Sequence, residues 1–71
     1  MNITSSEALA VCEAISTELS NLLKEAEKAI AEGRYGAARY QIARANAHVS
    51  NLRETAQRGL SAAEMEAAHA A

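Results

Sequence analysis

The sequence predicts an all-α fold: an antiparallel helical hairpin with a short C-terminal helix or extension, which completes a four-helix bundle by dimerisation. Three observations predict it. Ala, Leu, Glu, Gln, Lys and Arg fill most of the 71 positions, proline is absent, and no stretch alternates apolar and polar residues with period two. Two long stretches carry apolar stripes whose spacings alternate between four and three. A glycine, Gly33, stands between them, where the chain must turn.

The first helix is expected over about 4–32. Thr4-Ser5-Ser6-Glu7 reads as a capping box, with Thr4 at the N-cap, Glu7 at N3, and Ile3 before it as a staple against Ala8. Gly33 ends the helix by supplying a left-handed residue. After the turn at Arg34, the second helix is expected over about 35–58, with Gly59 as a second stop. Ser61-Ala62-Ala63-Glu64 repeats the capping pattern, so a short third helix or bent extension is expected over about 62–68, with 67–71 frayed.

The stripes set a register. The first comprises Ala8, Cys12, Ile15, Leu19, Leu22, Ala26 and Ala29. The second comprises Ala38, Ile42, Ala45, Val49, Leu52, Ala56, Gly59 and Ala63. Folding about Arg34 sets Ala26 against Ile42, Leu22 against Ala45, Leu19 against Val49, Ile15 against Leu52, Cys12 against Ala56 and Ala8 against Gly59. Near the turn each larger residue meets an alanine, as interdigitation requires. Charge divides along the chain as well. Residues 1–33 hold six Glu and two Lys, a net of −4, and residues 34–59 hold five Arg and one Glu, a net of +4. An acidic helix beside a basic one favours the hairpin and equally favours pairing between chains.

Residues 1–71 read as a single helical-hairpin domain. A chain of this size buries only about 60% of the surface its unfolded form exposes, so a marginal core is expected to need a partner. Cys12, the only cysteine, allows no disulfide within the chain. No run approaches the roughly 20 apolar residues a membrane span needs. The first residues carry no basic segment and no long apolar core, so a cytoplasmic location is expected.

Two rows lie outside the hairpin stripes. Leu9, Leu23 and Ile30, interrupted by Ser16, flank the first stripe; the expected third segment, with Leu60 and Met65, can reach the Leu9 end, but Leu23 and Ile30 near the turn lie beyond it. They are the expected self-association surface, since burying a Leu or Ile contributes roughly 1.5–3 kcal/mol. On the second helix Gly36, Tyr40, Ala43 and Ala47 share another side. Small residues around a tyrosine anchor form the expected surface for a heterologous partner.

Catalytic, cofactor and metal chemistry is not expected. The nine carboxylates are all Glu, six of them at surface spacing on the first helix. The register holds Cys12 about two turns from His48, and His69 lies in the tail, so no His/Cys metal site forms. Cys12 reads as a small buried hydrophobe. The three glycines are dispersed, so no phosphate-cradling loop exists. Nucleic-acid binding wants clustered positive charge. Arg39 and Arg53 lie near each other on the helical wheel, Arg44 and Arg58 form a pair more than 100° away, and Arg34 points elsewhere.

From Leu19 to Leu52 the chain resembles the small helical-hairpin co-chaperones of type III secretion needle subunits. The shared features are a polar amphipathic helix, Gly33 near the turn, Tyr40-Gln41 early in the second helix, and the Ala/Leu stripe after it. The turn departs in composition and length. The resemblance implies a non-enzymatic cytoplasmic protein that pairs with a larger helical-repeat chaperone. Gly33-Arg34-Tyr35 with Ala37-Ala38 also resembles one helix–turn–helix unit of a tetratricopeptide repeat, which alone makes no solenoid. The function expected from the residues is a protein–protein interaction module: a binder, adaptor or inhibitor of another protein, acting as a homodimer or with a heterologous partner. A secretion co-chaperone and a basic-helix nucleic-acid binder are the alternatives.

Overall fold

The computed structural model describes residues 3–70, which form two antiparallel helices, α1 (Ser5–Ala31) and α2 (Tyr35–Ala70). The capping box is formed as its residues require. The Thr4 hydroxyl accepts from the Glu7 amide at 3.1 Å, and the Glu7 carboxylate accepts from the Thr4 amide at 3.0 Å. At the other end of α1, Gly33 takes φ +74, the only positive φ among the described residues. The Gly33 amide donates to the Ile30 carbonyl and the Arg34 amide reaches back to Ala29, which is the Schellman pattern. Arg34 then pairs with Glu32 across the turn, through Nε at 2.9 Å.

α2 does not stop at Gly59. It runs unbroken to Ala70 as one 36-residue helix, so of the expected third helix or extension it is the extension that forms, and the stop near Arg58 and the frayed 67–70 are not seen. Ala71 lies outside the described residues. A glycine inside a helix costs about 1 kcal/mol against alanine. Here it serves a second purpose, because a Cβ on Gly59 would lie 2.9 Å from the Ala8 Cβ. At Gly59 the two helices approach too closely for a side chain, and the helix formers that follow it carry α2 onward. That continuation brings Glu66 to the start of α1. Its carboxylate accepts from the Ser5 amide at 2.9 Å and from the Ser5 hydroxyl. One of the unpaired amides of the α1 N-terminus is thereby satisfied by the far end of the chain.

The Ala8–Gly59 layer of the expected register is present, but α2 is rotated about its axis relative to expectation. Ala38, Ala45, Leu52 and Gly59 face α1 as anticipated. The other half of the stripe does not: Ile42, Val49, Ala56 and Ala63 are exposed, and Gln41, His48, Thr55 and Ala62 are half-buried in their place. The polar residues in the seam cost little, because two of them bond within their own helix. The Thr55 hydroxyl donates to the Asn51 carbonyl at 2.8 Å, and His48 Nδ1 lies 2.9 Å from the Arg44 carbonyl. The seam is therefore thin. Its fully buried residues are Ala8, Leu22, Ala26, Ala29, Ala38 and Ala45, a single leucine among alanines. Cys12, expected buried against Ala56, is half-buried, and Ala56 points away.

Candidate interaction surface

The two sides of the hairpin differ, and helix handedness says how. With α1 running toward the viewer, successive residues turn about 100° counterclockwise on α1 and clockwise on the antiparallel α2. The row one residue after Ala8, Ile15, Leu22 and Ala29 thus falls on the same side of the hairpin as the row one residue after Gln41, His48 and Thr55. The first row is Leu9, Ser16, Leu23 and Ile30. The second is Ile42, Val49, Ala56 and Ala63, with Tyr35 one heptad before it.

The rotation of α2 therefore builds one apolar face from both helices, interrupted on α1 by Ser16. Leu9 is 60% exposed, Leu23 46%, Ile30 48%, Ile42 41% and Val49 38%, and Tyr35 is also open. The expected self-association residues Leu9, Leu23 and Ile30 all lie on this face. Leu60 and Met65 do not cover the Leu9 end, because straight α2 leaves both exposed. Tyr35, Ile42 and Val49 were not singled out from the sequence as surface residues; Ile42 and Val49 read there as core.

The opposite side is mostly charged and polar, with exposed Val11 and Met65 among its residues. Val11, Glu18, Glu25 and Glu32 on α1 face Arg44, Asn51 and Arg58 on α2. Arg58 pairs with Glu54 of its own helix at 2.8 Å, both side chains being well exposed. At the open end of this side, Ile3, Thr4, Arg58, Met65 and His69 line a cleft. The row Gly36, Tyr40, Ala43 and Ala47 lies on the back of α2, away from α1. Gly36, Tyr40 and Ala43 border a shallow depression with Arg39. The Arg44 guanidinium sits 5.8 Å from the centre of the Tyr40 ring. Such a contact holds the ring in place by about 0.5–1 kcal/mol at an exposed site.

The shape of the hairpin sets the scale of what is uncovered. It is a rod of 56 × 15 × 14 Å with a radius of gyration of 16.2 Å; a compact domain of the same length has about 11 Å. Its accessible surface is 5275 Å², against about 4,200 Å² for a compact monomer of its mass. The difference, about 1,100 Å², exceeds the roughly 800 Å² that each partner contributes to a standard protein–protein interface.

Among the described residues no three His, Cys or Glu side chains come together as a metal site requires. No helix of the described residues is long and apolar enough to cross a membrane. No family model matches the chain, nor does any curated protein or solved structure.

Proposed function

We propose that this chain is a non-enzymatic protein–protein interaction module, a cytoplasmic binder, adaptor or inhibitor of another protein, which works as a helical oligomer. The observation that carries the reading is the apolar face running along both helices through Leu9, Leu23, Ile30, Ile42 and Val49. Contiguous apolar surface of that kind on a small protein marks an interaction site, and the alanine seam beneath it is too thin to make burial elsewhere the stabilising feature. The Tyr40 row, on a separate side, is the surface assigned to a heterologous partner. The co-chaperone reading is one form of this function, with a helical-repeat chaperone as that partner. A nucleic-acid reading has less support: Arg34 and Arg58 are engaged by Glu32 and Glu54, and Arg44 lies over Tyr40.

Sedimentation equilibrium of the full chain, from micromolar to near-millimolar concentration, tests the proposal. The expected mass is a multiple of 7.5 kDa that falls to the monomer when Leu23 and Ile30 are both replaced by Glu. A monomer at every concentration, with stability indifferent to the two substitutions, refutes it.

A further inference from the structure

We propose that the apolar face is covered by a second copy of this chain, related by a twofold axis parallel to the helices, so that α1 of each copy lies antiparallel along α2 of the other. The inference rests on the interaction reading above and adds the occupant and its arrangement.

The edges of the face carry the argument. Beyond Leu9, Ser16, Leu23 and Ile30, the next row outward on α1 is Ser6, Glu13, Ser20 and Glu27. Beyond Ile42, Val49 and Ala56, the next row outward on α2 is Arg39, Asn46, Arg53 and Leu60. One edge is acidic and the other basic, and the charges are spaced two heptads apart on both. Among the described residues, none of Glu13, Glu27, Arg39 and Arg53 has an ion-pair partner within the chain.

Their heights also agree. The Ala8–Gly59 approach fixes which residues of α1 and α2 lie at one level. On that register, and within one residue, Glu13 is level with Arg53, Ser20 with Asn46, and Glu27 with Arg39. Within one hairpin these rows stand on opposite outer edges and cannot meet. A twofold axis along the rod keeps every level and exchanges the edges. Glu13 of one copy then meets Arg53 of the other, Ser20 meets Asn46, and Glu27 meets Arg39. A twofold axis across the rod sets α1 against α1, acidic edge on acidic edge, and α2 against α2, basic on basic. Charge thus selects the first arrangement over the second. In that arrangement Leu23 stands within two residues of the level of Ile42, and Ser16 within two of Val49. A smaller residue thus lies beside a larger one in the second layer.

The test uses the full chain with Cys12→Ala and two new cysteines, Glu27→Cys and Arg39→Cys. The expected result on mild oxidation is a covalent dimer joined between position 27 of one copy and position 39 of the other, since the proposed pairing sets these positions at one level on neighbouring helices and a disulfide needs such proximity. In a second arm, Glu13→Arg with Glu27→Arg weakens dimerisation by about tenfold or more, and adding Arg39→Glu with Arg53→Glu restores it. A dimer by sedimentation that neither cross-links nor responds to charge reversal has another arrangement; it overturns this inference and leaves the interaction reading standing. A chain that stays monomeric throughout overturns this inference and the oligomeric part of the reading above, and leaves the face to a different protein.

Discussion

Replacing Gly59 by alanine tests the closest approach between the helices, and two opposing effects decide its sign. Alanine inside a helix is favoured over glycine by about 1 kcal/mol. At Gly59, however, the new Cβ would stand 2.9 Å from the Ala8 Cβ, where carbon atoms prefer about 3.5–4.0 Å. Neither atom can turn aside, because each is fixed to its backbone, and Ala8 is fully buried. The helices must part by a sizeable fraction of an ångström, and overpacking of this kind costs about 1–3 kcal/mol. The net expectation is a loss of about 1 kcal/mol, or about 4–8 °C in Tm for a domain of this size. Ala8→Gly alone loses about 1 kcal/mol of helix preference. In the double variant Gly59→Ala with Ala8→Gly, the collision is gone and the preferences are exchanged. Its stability should return near that of the parent, a coupling of about 2 kcal/mol. Gly36 is the control. It is helical with nothing within 4 Å of a Cβ, so Gly36→Ala should raise the Tm. Thermal unfolding followed by far-ultraviolet circular dichroism, at one chain concentration, reads all four. If Gly59→Ala stabilises as Gly36→Ala does, the helices do not touch there and the register fails.

Three further outcomes follow from the same geometry. Glu7 and Glu66 have pKa values below the ordinary 4.5, Glu7 chiefly through the Thr4 amide and Glu66 chiefly through the Ser5 hydroxyl. Their contribution is present above pH 4.5 and is lost as pH falls through the lower folded values. Urea titrations at stepped pH should show Glu66→Gln flattening that decline, and an unchanged slope contradicts the Ser5–Glu66 closure. Cys12 is half-buried in the seam, so a thiol reagent should modify it more slowly in the folded chain than in denaturant; equal rates would move it outside. Tyr40→Ala should leave helicity and oligomer mass nearly unchanged while weakening a heterologous partner by about 2 kcal/mol, roughly thirtyfold. Unfolding by this change would make Tyr40 part of the core.

Much of the hairpin is legible because its signals are local. Thr4 and Glu7 sit three residues apart, and a helix start needs nothing more. Gly33 occupies the one position where the chain reverses, and its left-handed φ is what glycine supplies at no steric cost. Gly59 is the counterexample. A glycine that ends a helix and a glycine that admits a neighbouring helix look alike in sequence, and only Ala8, some fifty residues earlier, tells them apart. The Ser5–Glu66 contact was hidden for the same reason, since it exists only if α2 continues. The rotation of α2 was hidden by a different one. Hydropathy places Ile42 and Val49 against the nearest helix. It takes no account of Thr55 and His48 bonding to their own helix's carbonyls and so tolerating the seam. Reading Ile42 and Val49 as core removed half of the apolar face, and left Leu9, Leu23 and Ile30 looking like a row on one helix.

If the apolar face is covered by a partner, as proposed, the same rotation couples assembly to folding. The residues fully buried in the hairpin are alanines and Leu22, and each alanine removes little apolar area from water. The side chains with more area to bury, Leu23, Ile30, Ile42 and Val49, keep between 38% and 48% of their surface exposed. Whatever binds the folded hairpin and not the unfolded chain stabilises it by mass action. If the cover is a second copy, the ligand concentration is the chain concentration, and the thermal midpoint must rise as the protein is concentrated. The parent chain should therefore melt at progressively higher temperature from micromolar to near-millimolar concentration. Leu23→Glu with Ile30→Glu should melt lower and at a temperature independent of concentration. A parent whose midpoint is constant over that range is stable by its alanine seam alone, and the apolar face then plays no part in holding the hairpin together.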